Sequence, residues 1–224
     1  TAVLADNDPE LEAQAFARLC QLRERSGLPI MVHHIKSSVP TDHLLENLAP
    51  RDVYTHLYHG CEDTIFNNET GKPSAAALNA RDRGVVFDVG HGSGSFSWAL
   101  AEKSCSEHGF WPDTISSDLH RYNTFWPVVD LATTMSKFLH LGASEAQVIA
   151  MVTGNVRRAI PTLPGTLESG DLTIFTVEEG QFSMVDTRDE HRMCQRRFLP
   201  LAVVKDGELT PCNAYATHGA GSVE

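Results

Sequence analysis

Four short strand-like runs, the first of which is continuously apolar from Leu28 to Val32, constrain the fold of this chain more than any other feature of its sequence. They cover residues 29–33, 52–56, 85–91 and 114–118. A helix that follows Asp8 precedes the first run, and helical stretches near residues 41–48, 73–82 and 95–108 separate the runs. Apolar runs of this kind are typical of parallel strands that are buried on both faces. The alternation therefore predicts an α/β chain with a parallel sheet of the barrel type.

Each apolar run ends on a side chain that can bind a metal ion or polarise a metal-bound water. The four side chains are His33, His56, His91 and Asp118. The carboxyl ends of parallel strands meet at one rim of a barrel, where barrel enzymes place their catalytic residues. Imidazole and carboxylate groups are ligands of zinc and similar divalent ions. The pattern predicts a metal-dependent hydrolase.

Each of these residues also has a second interpretation. His34 competes with His33, because neighbours on a strand point to opposite faces and only one of them can face the site. His59 follows His56 in a predicted loop, where it either supports the site or is exposed. His91 lies between two glycines and either faces a substrate or belongs to a structural turn. Asp118 is either a metal ligand and general acid/base or an ordinary turn residue.

The rest of the chain has a different character. Helices are predicted to about residue 160, with a capping box at Ser144 to Gln147. Two β-type runs follow at residues 172–177 and 199–204. We expect a partial barrel over residues 1–160, part of a small β-sandwich over 161–214 and a flexible tail over 215–224. Only four barrel-type strands are predicted, and four strands cannot close a parallel barrel, so the sheet is either half of a barrel or an open sheet.

Composition narrows the partners and the compartment. The formal net charge is −11, which would repel nucleic acid and anionic membrane surfaces. No apolar run approaches the roughly 20 residues that span a bilayer, and the first residues lack a basic leader. The five cysteines are odd in number and form no CxxC pair, which disfavours a disulfide framework and a thiolate zinc site. We expect a soluble protein of the reducing cytoplasm.

The runs and the segments around them resemble the amidohydrolase superfamily, in particular the C-terminal portion of bacterial amidohydrolase/deacetylase metallohydrolases of the dihydroorotase-like branch. The resemblance rests on motifs that occur in order between about residues 10 and 210. They are residues 29–33, 52–56 with Gly60, 87–92 with 95–96, 114–120, 152–155 with 158–159, 165–167 and 170–175.

The resemblance implies the C-terminal half of a (β/α)8 TIM-type barrel, equivalent to strands 5–8, followed by part of a β-sandwich. It implies two divalent ions, commonly Zn2+, bridged by a hydroxide and a carboxylated lysine. His33 and His56 would bind the more exposed ion. Asp118 would bind the more buried ion and act as general acid/base, and His91 would lie near the substrate. The implied reaction is hydrolysis of an amide or ester bond in a small molecule.

Two family features are absent from this sequence. No His-x-His motif occurs, and none of the five lysines stands where the bridging lysine belongs; they are Lys36, Lys72, Lys103, Lys137 and Lys205. We therefore expect a homo-oligomer or association with the missing N-terminal half. One alternative is a non-catalytic or incomplete half-barrel that needs a partner chain. Another is a mononuclear hydrolase that uses only His33, His56 and Asp118.

Overall fold

A four-stranded parallel sheet forms the centre of the molecule. The computed structural model describes residues 1–4, 8–160 and 172–212. Within them the strands β1 (Ala2–Leu4), β2 (Met31–His34), β3 (Val53–Thr55) and β4 (Val86–Phe87) pair in that order, each parallel to the next. The predicted α/β fold with a parallel sheet is confirmed, and the half-barrel assignment stays a prediction.

Helices connect the strands and extend beyond them. Helix α1 (Pro9–Ser26) joins β1 to β2, α2 (Thr41–Asn47) joins β2 to β3, and α3 (Ala75–Arg83) joins β3 to β4. Helix α4 (Trp98–Glu102) continues into a π-helical turn (Lys103–Glu107). Three further helices follow, α5 (Leu131–His140), α6 (Glu145–Val152) and α7 (Gly154–Ala159). The predicted N-cap at Asp8 and the predicted capping box at Ser144 are both present.

The strand prediction is wrong at both ends of the sheet. Strand β1 was not predicted, because its three residues are too few to show a pattern. The run at 114–118, predicted as a strand, forms only one isolated parallel bridge, between Asp88 and Thr114. On its other side the Ile115 N–H donates to the carbonyl of Met151 in α6. Within the described part of the chain this run therefore pairs with one strand and lacks the second neighbour of a central strand.

A second, antiparallel sheet packs against the helices. It contains β5 (Leu172–Val185), β6 (His191–Lys205) and β7 (Glu208–Pro211), in that order. The Phe198 N–H of β6 donates to Ser136 Oγ of α5 at 2.8 Å, and Arg192 forms an ion pair with Glu102 of α4 at 2.8 Å. The predicted β-type runs are parts of longer strands. The predicted tail at 215–224 lies outside the described residues, and the domain boundaries stay predictions.

A buried carboxylate fixes the amino ends of the central strands. Asp52, at the start of β3, accepts hydrogen bonds from the backbone N–H of Ile30 at 3.0 Å and of Ala49 at 2.8 Å. Its other partner is the guanidinium of Arg23 in α1, at 2.5 Å. The three bonds satisfy a carboxylate that would otherwise be costly to bury. They align α1, β2 and β3 at the rim opposite the predicted site.

The core lies between the sheet and the helices and is rich in aromatic side chains. The largest fully buried ones include Tyr54, Tyr58, Phe87, Phe96 and Trp98. Among the described residues, no helix is both long enough and apolar enough to cross a membrane.

Candidate functional site

The carboxyl ends of the strands are joined by one buried carboxylate, that of Asp88. It accepts hydrogen bonds from Thr55 Oγ1 at 2.7 Å, Thr114 Oγ1 at 2.7 Å and Ser116 Oγ at 2.6 Å. Asp88 is almost completely buried, and the three hydroxyl donors compensate for its lost hydration. The bonds hold the ends of β3, β4 and the 114–118 run at one level. Our sequence analysis assigned no role to Asp88, although the hydroxyl residues on the neighbouring runs were an available signal.

His33 and His56 lie in direct contact at this rim. Their ring centroids are 4.2 Å apart and the rings meet edge to face at 70°. His56 is buried and has a φ of 65°, in the left-handed region that is uncommon for residues other than glycine. By contrast, the side chain of His34 donates from Nε2 to the carbonyl of Val39 at 2.7 Å. Of the two adjacent histidines, His33 is the one that lies against His56.

A hydrogen bond and burial set the chemical form of the two imidazoles. His56 donates from Nδ1 to the carbonyl of Gly90 at 2.6 Å, which leaves the lone pair on Nε2 free for a metal ion. Burial, together with the charge of His56, lowers the pKa of His33 to about 4. The negative charge of Asp118 acts in the opposite direction on that pKa. His33 is therefore neutral at neutral pH, the form in which imidazole binds metals.

Asp118 lies at the exposed edge of the rim. Its φ of 46° is again left-handed, and its carbonyl accepts from Asn123 Nδ2 at 2.9 Å. The carboxylate approaches Gly92 so closely that a Cβ on that glycine would lie 2.6 Å from Asp118 Oδ2. Asp118 is thus an exposed acid held against a glycine turn, as an acid/base at a site entrance would be.

The turn of residues 90–92 separates His56 from Asp118. Gly90 has a φ of 48°, and a Cβ there would lie 2.2 Å from Thr55 Oγ1 and 2.8 Å from His56 Nδ1. The N–H groups of His91 and Gly92 donate to the carbonyls of Ser116 and Ser117 at 3.2 and 3.1 Å. Both glycines have a left-handed φ, which favours glycine, and at Gly90 the side chain of Thr55 and the backbone of His56 also occupy the space of a Cβ.

His91 is completely buried inside this turn. Its Nδ1 donates to the carbonyl of Gly92 at 2.9 Å, and its Nε2 lies 2.6 Å from Nζ of Lys137. Burial and the charge of Lys137 lower the pKa of His91 to about 3. Both ring nitrogens are bonded within the chain, and the role of His91 as a substrate contact stays a prediction. Lys137 was missed as a site residue, although a lysine within the predicted apolar helix of α5 was a signal.

His59 is buried rather than exposed. Its Nδ1 accepts from the N–H of Cys61 at 3.0 Å, and its Nε2 has no hydrogen-bond partner among the described residues. Burial and the proximity of His34 lower the pKa of His59 to about 3. This neutral imidazole stands beside the predicted ligands and adds no charge to the site.

The donor types at the rim fit a divalent ion, but the ligand set is incomplete. Two imidazoles and a carboxylate are suitable zinc ligands. Within residues 1–4, 8–160 and 172–212, no three His, Cys, Asp or Glu side chains converge closely enough to hold an ion. His33, His56 and Asp118 can therefore contribute ligands to a metal centre but do not form a closed site by themselves.

Comparisons with known proteins reveal similarity to named enzymes. A deacetylase of Enterococcus faecalis is 34% identical over 192 residues, which are 84% of this chain and 52% of that protein. A deacetylase of Brucella anthropi is 33% identical over 192 residues, 84% of this chain and 47% of that protein. The chain thus spans about half the length of the curated relatives it matches. No family model matches the chain.

Two solved structures share the fold. The crystal structure of an adenine deaminase superposes with a TM-score of 0.85 and 29% identity, and covers 94% of this chain and 59% of that one. The crystal structure of a dihydroorotase superposes with a TM-score of 0.76 and 29% identity, and covers 86% of this chain and 51% of that one. Together with the deacetylases the two structures support a relationship of this chain to the amidohydrolase superfamily.

The glycine turn supplies the first test. We expect Gly90→Ala to destabilise the chain by at least about 1–2 kcal/mol, the cost of the left-handed conformation, because the new Cβ also meets Thr55 and His56. Gly94→Ala is the matched control, since a Cβ there would meet nothing within 4 Å. Denaturant unfolding measures both variants. Equal stability of the two variants would contradict the close approach at Gly90.

Proposed function

We propose that this chain contributes to a metal-dependent hydrolase of amide or ester bonds, of the deacetylase or cyclic-amidase type within the amidohydrolase superfamily. The observation that carries the proposal is the contact between His33 and His56 at adjacent strand ends, with His56 Nδ1 bonded to the carbonyl of Gly90. A histidine whose second nitrogen is bonded to a carbonyl is the usual form of a metal-binding histidine. The named deacetylases among the relatives support the same reaction class.

The metal ligands would come from three places on the rim. His56 would bind through Nε2, His33 would bind beside it as a neutral imidazole, and Asp118 would contribute its carboxylate. Divalent ions bound here, Zn2+ in the commonest case, would supply a water of lowered pKa and polarise the scissile carbonyl. We expect two ions with a carboxylated lysine between them, and that lysine is absent from this chain.

Asp118 is the proposed general acid/base. Its carboxylate is exposed at the rim and can take a proton from the attacking water. The same carboxyl group can then give the proton to the leaving amine or alcohol, so no protein nucleophile is needed. The substrate is a small molecule with an amide or ester bond.

His91 is the fourth proposed site residue. A direct contact with substrate requires one of its ring nitrogens to leave its bond to Gly92 or Lys137.

We propose residues 1–160 as the hydrolase domain, equivalent to barrel strands 5–8, and residues 161–214 as part of a β-sandwich.

Removal of either histidine tests the metal assignment. We expect His33→Ala and His56→Ala, made in the full-length protein, each to weaken binding of one ion by at least tenfold, because each variant removes one of its ligands. Elemental analysis after dialysis and calorimetric titration with Zn2+ measure this. His108→Ala is the control, since His108 is exposed and its side chain hydrogen-bonds the carbonyl of Thr70, away from the predicted ligands. If both variants kept full metal content and turnover, the assignment would be wrong.

The exposed edge strand of the parallel sheet favours association with another chain. Among the described residues β1 is an outer strand, and Val3 on it is 60% exposed. Unpaired edges of parallel strands tend to associate with other chains. We therefore propose that the chain acts with a partner that supplies further barrel strands or as a homo-oligomer, and an incomplete half-barrel without activity of its own is the alternative.

Sedimentation velocity of the isolated chain tests this need. We expect self-association that depends on concentration, because no strand among the described residues pairs with the outer edge of β1. The substitution Val3→Lys places a charge on that edge and is expected to reduce the association. A well-folded monomer at all concentrations would contradict the requirement for a partner.

A further inference from the structure

Lys137 is a buried amino group with a complete set of hydrogen-bond acceptors. It lies in the middle of α5 and is fully buried. Its Nζ reaches His91 Nε2 at 2.6 Å, the carbonyl of Val185 at 2.5 Å and the carbonyl of Pro127 at 3.3 Å. The three acceptors match the three hydrogens of an ammonium group. Among the described residues no carboxylate lies within ion-pair distance of this amine.

The surroundings of Lys137 accommodate its charge. The ring centroids of Phe96 and Trp98 lie 5.2 and 5.7 Å from Lys137 Nζ, which is within cation–π distance. Burial lowers the pKa of Lys137 to about 7, and the more distant charge of Asp186 opposes that shift. Burial of a lysine is costly, so an apolar residue would serve better if the position only filled space.

The bond to Lys137 determines the state of His91. Because the Gly92 carbonyl accepts from Nδ1, the hydrogen of neutral His91 is on Nδ1. Its Nε2 then presents a lone pair to the amine of Lys137. The ring is also stacked on Phe96, with centroids 4.7 Å apart. The tautomer of His91 is thus held by Gly92 and Lys137 together, and its orientation by Lys137 of α5 and by Phe96.

His91 in turn holds the glycine turn of residues 90–92. The Gly90 carbonyl accepts from His56 Nδ1, and Gly92 lies against the carboxylate of Asp118. A continuous path of contacts therefore leads from Lys137 through His91 and the turn to two of the proposed metal ligands.

We infer that Lys137 is a positioning residue: it fixes the tautomer and place of His91, and through the glycine turn it orients His56 and Asp118. The inference deepens the proposed function and rests on it for the identity of the ligands. It assigns Lys137 no contact with substrate or with the reacting atoms.

A structural role alone is the competing account. Lys137 also binds the carbonyl of Val185 at the end of β5, so its loss would loosen the hairpin in either case. Ser136→Ala is a matched control, because Ser136 is a fully buried neighbour on α5 whose Oγ accepts from the N–H of Phe198. It loosens the same hairpin without contact to the turn.

The test compares Lys137→Met, His91→Phe, the double variant and Ser136→Ala in the metal-free chain. Side-chain 15N spectra of labelled histidines report the Nδ1 hydrogen of His56, and hydrogen exchange reports the amides of residues 90–92. We expect Lys137→Met to shift the His56 signals and to speed this exchange at least tenfold. We expect His91→Phe to do the same and the double variant to add nothing, because both substitutions break one path. Lys137→Gln, which keeps two donors, should restore part of the His56 signal.

Metal binding provides a second readout. In the full-length protein we expect Lys137→Met to weaken Zn2+ binding at least tenfold and to lower kcat more than it raises KM, while Ser136→Ala changes neither. The inference is overturned if Lys137→Met and Ser136→Ala give the same His56 spectra and exchange rates, or if the two substitutions in the double variant act additively. If Lys137→Met does not fold, the same comparison is made with Lys137→Gln.

Failure of the proposed function would look different. A wild-type protein that binds no metal would refute the hydrolase, yet the spectra of His56 in the metal-free chain would still decide the role of Lys137.

Discussion

The arrangement of the rim depends on the buried carboxylate of Asp88. A carboxylate without water is stable only when its oxygens are bonded, and here the hydroxyls of Thr55, Thr114 and Ser116 bond them. These donors come from two neighbouring segments, so satisfying one charge also sets the relative height of three strand ends. At the opposite rim Asp52 aligns the strands in the same way, because it accepts hydrogen bonds from the N–H groups of Ile30 and Ala49 and pairs with Arg23. Two buried acids thus fix the central strands at both ends.

After Asp88 the chain makes the glycine turn of residues 90–92. This turn brings side chains from different strands together. His56 and Asp118 both have left-handed backbone conformations, which are costly for residues other than glycine. Such strain persists only where the surroundings enforce it. Here the surroundings are the glycine turn on one side and the hydroxyls around Asp88 below. These two residues are among the metal ligands that we propose, and their strain is consistent with a site that is held in a defined geometry.

Much of this arrangement is predictable from sequence, because the apolar runs, the helix caps and the polar strand ends are local signals. The N-cap at Asp8, the capping box at Ser144 and the parallel pairing of β2, β3 and β4 all follow from such patterns. Strand β1 is too short for a pattern, and the 114–118 run, in which only Ile115 is apolar, has no second strand beside it among the described residues. Asp88 bonds Thr114, 26 residues away, and Lys137 bonds His91, 46 residues away, so the local signals at these two positions do not identify their partners. The ligand roles of His33, His56 and Asp118 stay predictions, supported by the contact of the two rings.

Asp88 bonds Thr55, the residue before His56, and we expect this bond to hold His56 where its ring meets that of His33. The most direct measurement is the nuclear Overhauser effect between the ring protons of these two histidines in the metal-free chain, compared in Asp88→Asn and Asp52→Asn. Both substitutions remove a buried charge that is fully bonded, but Asp52 lies at the other end of the strands. We predict that Asp88→Asn abolishes the contact between the two rings. Asp52→Asn is expected to lower the free energy of unfolding but to preserve that contact. Persistence of the contact in Asp88→Asn, or its equal loss in both variants, would contradict the account.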